Sequence, residues 1–243
     1  SKVTARMSRL LNRLVELEAD IAYALPPEDG DVEYRYQPGS VPLLLSAPHG
    51  AVHTRKGASK DEDEYTAAIA RLVAEETRAH VMYAHRKSGT DPNYDPGVPY
   101  KLTMQQIVET ARIAFVMDIH GSSPAHPFGL ALGTIAGASC PDYRNLILES
   151  LRQSGFSENF PGLDRLDIDQ TFPAAGGVKR ETVTRYAWQK LGVQAAQIEI
   201  HSDMRIVRRK PDASAQEPFE GDPEQIMKTV RALIHIVQAI AER

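Results

Sequence analysis

Residues 113–122 read IAFVMDIHGS, an apolar run that takes up Asp118, His120 and Ser122 only toward its end. A short continuous apolar stretch of this kind fits a strand buried on both faces, with its polar tail at the rim of a sheet. Working outward, the same pattern recurs in VPLLLSAPHG (41–50), VMYA (81–84), FGLALGTI (128–135) and VQAAQIEI (193–200). Helical spacing lies between these runs. Tyr65, Ile69, Leu72 and Val73 mark a helix over about 61–78, a second is expected near 103–111, and PDYRNLILESLRQSG (141–155) opens on Pro141 and ends on Gly155. Further helices are expected over about 180–191 and 222–241. At the N-terminus, Met7, Leu10, Leu11, Leu14, Leu17 and Ile21 place one amphipathic helix over about 4–24, ended by Pro26 and Pro27. Covering a face of the domain is its expected role, with a dimer contact as the alternative. Strands alternating with helices predict an α/β fold, a three-layer α/β/α sandwich of hydrolase-like or phosphorylase-like type with a mostly parallel mixed sheet. No linker or internal repeat divides the chain, so residues 1–243 are expected to form one domain.

Composition narrows the function. The chain has 243 residues, 28 Lys plus Arg against 32 Asp plus Glu, one cysteine and eight histidines. A net charge of −4 disfavours a protein that lives on nucleic-acid phosphates. No stretch reaches the roughly 18 apolar residues of a membrane span, and no signal-peptide pattern opens the chain, so a cytoplasmic location is expected. A lone Cys140 excludes disulfide frameworks and thiolate metal clusters, which leaves histidine and carboxylate as the available metal ligands.

In open α/β sheets the ligand site lies beyond the carboxyl ends of the strands. Three predicted strands end there in reactive residues: His49 before Gly50, His120 before Gly121, and Glu199 between Ile198 and Ile200. A catalytic metal generally takes three protein ligands and leaves a position open. The acidic run Asp61-Glu62-Asp63-Glu64 is placed to supply the third, and spacing does not choose among the four. Asp118, two residues before His120 and so on the same strand face, is positioned to orient its imidazole. Glu199, set in an apolar strand, reads as a general base or as the structural partner of Arg205. Arg86, Lys87, Lys179, Arg180 and Arg205 follow predicted elements in loops near this rim, which points to a substrate bearing a carboxylate.

Several ordered pieces, SAPHG (46–50), EDEYT (62–66), DPNYD (91–95), DIHGS (118–122) and GGVKRETVTRYAWQKLGVQAAQIEIHSDMR (176–205), together resemble the N-formylglutamate amidohydrolase family, relatives of the zinc carboxypeptidases. The resemblance implies one zinc ion held by His49, Asp63 and His120. Asp63 is selected because the family carries an Asp three residues before a Thr, here Thr66, and Glu62 is the alternative. It further implies Glu199 as base, with Asn93 and Arg205 binding a substrate carboxylate. The chain departs from its relatives in two places. Val52, not Glu, stands three residues after His49, against an ordinary carboxypeptidase, and Tyr94 follows Asn93 where the amidohydrolases carry an Arg. Arg86 and Arg180 are the residues expected to compensate. The expected activity is cleavage of an N-formyl or N-acyl amide of an acidic amino acid or similar small carboxylate. A γ-glutamyl or carboxypeptidase-like peptidase, or a non-catalytic carboxylate-binding protein on the same fold, stand as alternatives. No membrane or nucleic-acid partner is expected, and a homo-oligomer is allowed.

Overall fold

The computed structural model describes residues 1–243. At its centre lie strands β1 (Tyr34–Gln37), β2 (Leu43–Ala47), β5 (His80–Ala84), β6 (Phe115–Ser122), β7 (Leu130–Gly133), β8 (Leu166–Ile168) and β9 (Gln194–His201). They form one seven-stranded sheet in the order β1-β5-β2-β6-β9-β7-β8, and β3 (His53–Arg55) and β4 (Ala58–Lys60) make a separate hairpin. The four inner strands β5, β2, β6 and β9 run parallel, while β1 and β7 pair antiparallel to their inner neighbours. The predicted mixed, mostly parallel sheet is therefore present. Leu43, Leu44, Leu45, Phe115, Val116 and Met117 are all buried, as strands covered on both faces require.

Six helices complete the sandwich: α1 (Lys2–Ala19), α2 (Thr66–Thr77), α3 (Pro99–Thr110), α4 (Arg144–Gln153), α5 (Val183–Gln189) and α6 (Pro223–Ala241). One face of the sheet carries α2, α4 and α6, through residues such as Ile69, Leu151 and Leu233. The other carries α3 and α5, where Met104, Ile107, Val183 and Tyr186 pack on Leu44, Met82 and Val116. Helix α1 lays Leu10, Leu14 and Leu17 against the first of these layers. No helix is long and apolar enough to cross a membrane. Cys140 is buried in the core and unpaired.

Several boundaries differ from the sequence reading, each for a local reason. α1 stops at Ala19, with Asp20 as its C-cap, so Ile21 and Tyr23 are buried from a non-helical segment. α2 begins only at Thr66, because Tyr65 adopts a left-handed conformation (φ 68°) that no helix can contain. The acids 61–64 therefore form a loop ahead of the helix. α3 starts earlier than expected, with Pro99 in its first turn, where the missing N–H costs nothing. Strands β1, β3, β4 and β8 were not expected.

Candidate metal centre

The parallel register brings the site together. β6 and β9 pair His120 with Glu199, and β2 lies on the other side of β6, with Ser46 opposite Asp118. Past the end of β2, the chain turns at Pro48-His49-Gly50. A Cβ on Gly50 would fall 2.4 Å from the Ala84 carbonyl oxygen, so only glycine lets this turn lie against β5.

His49 and His120 are 5% and 2% exposed, and each is held by a buried carboxylate. His49 Nε2 bonds Asp91 Oδ1 at 2.7 Å, and His120 Nε2 makes a short bond to Asp118 Oδ2. With Nε2–H donating to a carboxylate in each ring, the Nδ1 lone pairs are left to face each other. Their separation is 3.3 Å. Asp63 Oδ2 lies 3.6 Å from His49 Nδ1 and 3.8 Å from His120 Nδ1. Asp63 is fixed from both ends, since its amide donates to the His49 carbonyl at 2.8 Å and its Oδ2 accepts from the Gly121 amide at 2.9 Å.

These three atoms suit a divalent cation. Tetrahedral donors about 2.0–2.2 Å from an ion stand about 3.3–3.6 Å apart. Charge argues the same way, because Asp63, Asp91, Asp118 and Glu199 stand around the two facing imidazoles and only Asp91 is paired with an arginine, Arg55. Burial opposes an imidazolium at His49, yet the hydrogen bonds to Asp63 and Asp91 outweigh it and raise its pKa to about 10. Burial likewise opposes charge at His120, and the Asp118 carboxylate overrides it in the same direction. At Asp63 the penalty of burial is overcome by His49 and His120, which bring the carboxyl down to about 2. The pocket thus draws positive charge from whatever can supply it. A second set, His49, His53 and Asp91, is also close. The 2.7 Å contact of His49 with Asp91 is a hydrogen bond, however, and leaves no space for an ion between them.

Glu62 faces elsewhere. Its two oxygens accept from the amide and hydroxyl of Ser214, at 2.7 and 2.6 Å. Of the two acids weighed from the sequence, Asp63 is the one that meets both histidines. Glu199, opposite His120, is 7% exposed, and its Oε1 accepts from Gln197 Nε2 at 3.4 Å. Burial pushes its pKa up to about 7, with His120 pulling the other way.

The central cavity, about 330 Å³, is lined by the three donors together with Glu199, Asn93 and Arg180. Asn93 Oδ1 accepts from the Val183 amide at 2.9 Å, which ties the DPNYD turn to α5. The Arg180 guanidinium has a buried Nε without a partner. Arg86 does not line this cavity. Arg205 is buried beneath Gly121, and its guanidinium donates to the carbonyls of Ile200, Glu64 and Ser122. It clamps the strand ends that carry the site rather than pairing with Glu199.

Two residues, Asp91 and His53, were not singled out in the sequence. Asp91 sits in the DPNYD turn and bonds both His49 and, at 2.7 Å, Arg55 Nε. His53 stacks on His49 with ring centroids 3.7 Å apart, and burial followed by the charge of His49 pushes its pKa down to about 3. Its position four residues past His49 was the one available signal for it.

No family model and no curated protein matches the chain. Solved structures do resemble it. A bacteriophage poly-gamma-glutamate hydrolase is 14% identical over 88% of this chain and 91% of that one, with a TM-score of 0.52. A gene product from Agrobacterium tumefaciens is 11% identical over 90% of this chain and 97% of that one, with a TM-score of 0.51. A metallo-carboxypeptidase from Pseudomonas aeruginosa is 16% identical over 97% of this chain and 68% of that one, with a TM-score of 0.48. At these identities the likeness is one of fold, and the chain shares the three-layer α/β architecture of hydrolases.

Proposed function

We propose that the protein is a metal-dependent amidohydrolase acting on an N-acyl amide of an acidic amino acid or similar small carboxylate. The observation that carries this reading is the convergence of His49 Nδ1, His120 Nδ1 and Asp63 Oδ2 beside Glu199, with both outer imidazole nitrogens held by carboxylates. The resemblance of the ordered sequence pieces to the N-formylglutamate amidohydrolases supports zinc and the amide substrate. A divalent cation held by the three donors supplies Lewis-acid polarisation of the amide carbonyl and makes water easier to deprotonate.

The chain's own groups supply the rest. Glu199, whose pKa lies near 7, takes a proton from the attacking water. The water oxygen bonds the carbonyl carbon, and the tetrahedral adduct then expels the amine as the C–N bond breaks. Glu199 returns its proton to the leaving nitrogen, so one water is consumed for each amide cleaved. Arg180 is the guanidinium in the central cavity available to pair with a substrate carboxylate. Asn93 and Gln197 position their neighbours, the α5 amide and Glu199.

Glu199→Gln tests the reading. Turnover is expected to fall by about 10²–10⁴-fold with metal content unchanged. Retained turnover in that variant overturns the role of Glu199. A carboxylate that binds wild-type protein holding no stoichiometric metal and hydrolysing no amide overturns the enzyme and favours a binding protein. A second reading, cleavage of a γ-glutamyl link, draws on the fold shared with the poly-gamma-glutamate hydrolase, and N-formyl-, N-acetyl- and γ-glutamyl-glutamate separate the two.

A further inference from the structure

The β3–β4 hairpin stands apart from the central sheet and adds nothing to the hydrophobic core, yet His53, Arg55 and Lys60 line the central cavity. Its two-residue turn, Lys56-Gly57, has φ of 50° and 76°, a left-handed pair that suits a tight hairpin and fixes its register. Residues two apart on β3 share a face, and so do residues directly opposite on β4, which puts His53, Arg55 and Lys60 on one side. That side is turned to the site. His53 stacks on His49, and Arg55 Nε donates to Asp91 Oδ2 at 2.7 Å, while the other oxygen of Asp91 bonds His49. The Thr54 hydroxyl donates to the Ser88 carbonyl at 3.0 Å and ties the strand down.

Arg55 is held in place without its donors being used up. Only Nε is hydrogen-bonded; Nη1 and Nη2 have no partner and are not buried, in a side chain 27% exposed. Its one carboxylate partner, Asp91, is wholly buried and does not line the cavity. The guanidinium also stands 5.6 Å over the Tyr94 ring. A free surface arginine gives up side-chain entropy when it pairs, which is why such pairs are worth little. One anchored at Nε and against an aromatic ring has given up that freedom before a ligand arrives. We infer that Arg55 is a specificity-determining residue whose Nη1 and Nη2 receive a second carboxylate of the substrate, with Lys60 adding its charge to the same wall and Arg180 taking the first. The paired nitrogens of a guanidinium match the two oxygens of a carboxylate. A cavity of about 330 Å³ suits an amino-acid-sized molecule held between two such groups. An amide with a single carboxylate would leave one guanidinium unpaired. The inference rests on the amidohydrolase reading for the scissile amide, and on the hairpin alone for the second acid group.

The test measures calorimetric binding of N-acetyl-glutamate and its two monoamides, N-acetyl-glutamine and N-acetyl-isoglutamine, to the metal-loaded Glu199→Gln protein, which binds without turnover. The diacid is expected to bind at least about tenfold more tightly than either monoamide. Adding Arg55→Gln is expected to cut its preference over one monoamide to about threefold or less and to spare its preference over the other, which Arg180 maintains. Arg55→Lys, the gentler change, is expected to retain more of that preference than Arg55→Gln. Because ratios of affinities are compared, a loss of metal that weakens all three ligands alike does not imitate this result. A proportional fall for all three ligands, or ratios unchanged in both variants, overturns the carboxylate receptor even where amides are cleaved. A preference that depends on Arg55, in wild-type protein that hydrolyses no amide, upholds the receptor and overturns the amidohydrolase reading instead.

Discussion

Glu18, in the last turn of α1, accepts the main-chain N–H of Tyr65 at 2.6 Å, so the first helix holds the loop that delivers Asp63. The same oxygen accepts the Tyr23 hydroxyl at 2.5 Å, and the carboxyl is wholly buried. Burial raises its pKa to about 7, against the pull of Tyr23 and Tyr65. In the folded state the group therefore binds a proton that it has released in the unfolded chain, where it titrates near 4.5. Its contribution to stability is complete below about pH 4.5 and is lost as pH rises through 7. Urea unfolding of wild type and Glu18→Gln checks this. The difference between them is expected to change by a few kcal/mol from pH 4.5 to pH 7.5, in the direction that weakens wild type at the higher pH.

Asp91 and Asp118 hold the far nitrogens of the two candidate ligands. Replacing either with Asn frees the imidazole to turn or to change tautomer. Metal affinity measured by chelator competition is expected to drop about 10–100-fold in Asp118→Asn and in Asp91→Asn. Unchanged affinity in both variants contradicts the arrangement described for Nδ1.

The neighbouring acids should separate sharply. Asp63→Asn removes a donor and is expected to lose more affinity than either outer-partner variant, whereas Glu62→Gln keeps the site, because Glu62 is engaged with Ser214. Metal content of the two purified variants decides between them.

Gly121 lies against the buried Arg205 guanidinium, and an added Cβ would stand 2.5 Å from its Cζ. Arg205 is tied to three carbonyls and has little room to yield. Gly121→Ala is expected to cost about 1–3 kcal/mol in thermal or urea unfolding, with weaker metal binding through the displaced Asp63 contact.

The parts of the fold that the sequence displayed are those in which burial writes a long apolar run. β2, β6 and β9 are such runs, and their polar ends named His49, His120 and Glu199. β1 (YRYQ), β8 (LDI) and the β3–β4 hairpin are short and only partly buried or exposed, so no periodicity marks them. The choice between Asp63 and Glu62 could not be read locally, since the Glu62 partner lies 152 residues away. Asp91 was hidden because its partner His49 lies 42 residues away, and Arg205, expected to touch substrate, faces carbonyls whose direction only the folded strands set.

The three donors sit at positions 49, 63 and 120, in the turn after β2, in the loop before α2, and on β6. An unfolded chain offers at most the first two near one another. The candidate set is complete only after β6 has docked beside β2, so an ion held there would be captured late in folding and would cross-link segments far apart in the chain. Protein with and without metal should therefore differ in resistance to heat and proteolysis, the difference growing with the logarithm of free metal concentration above the dissociation constant.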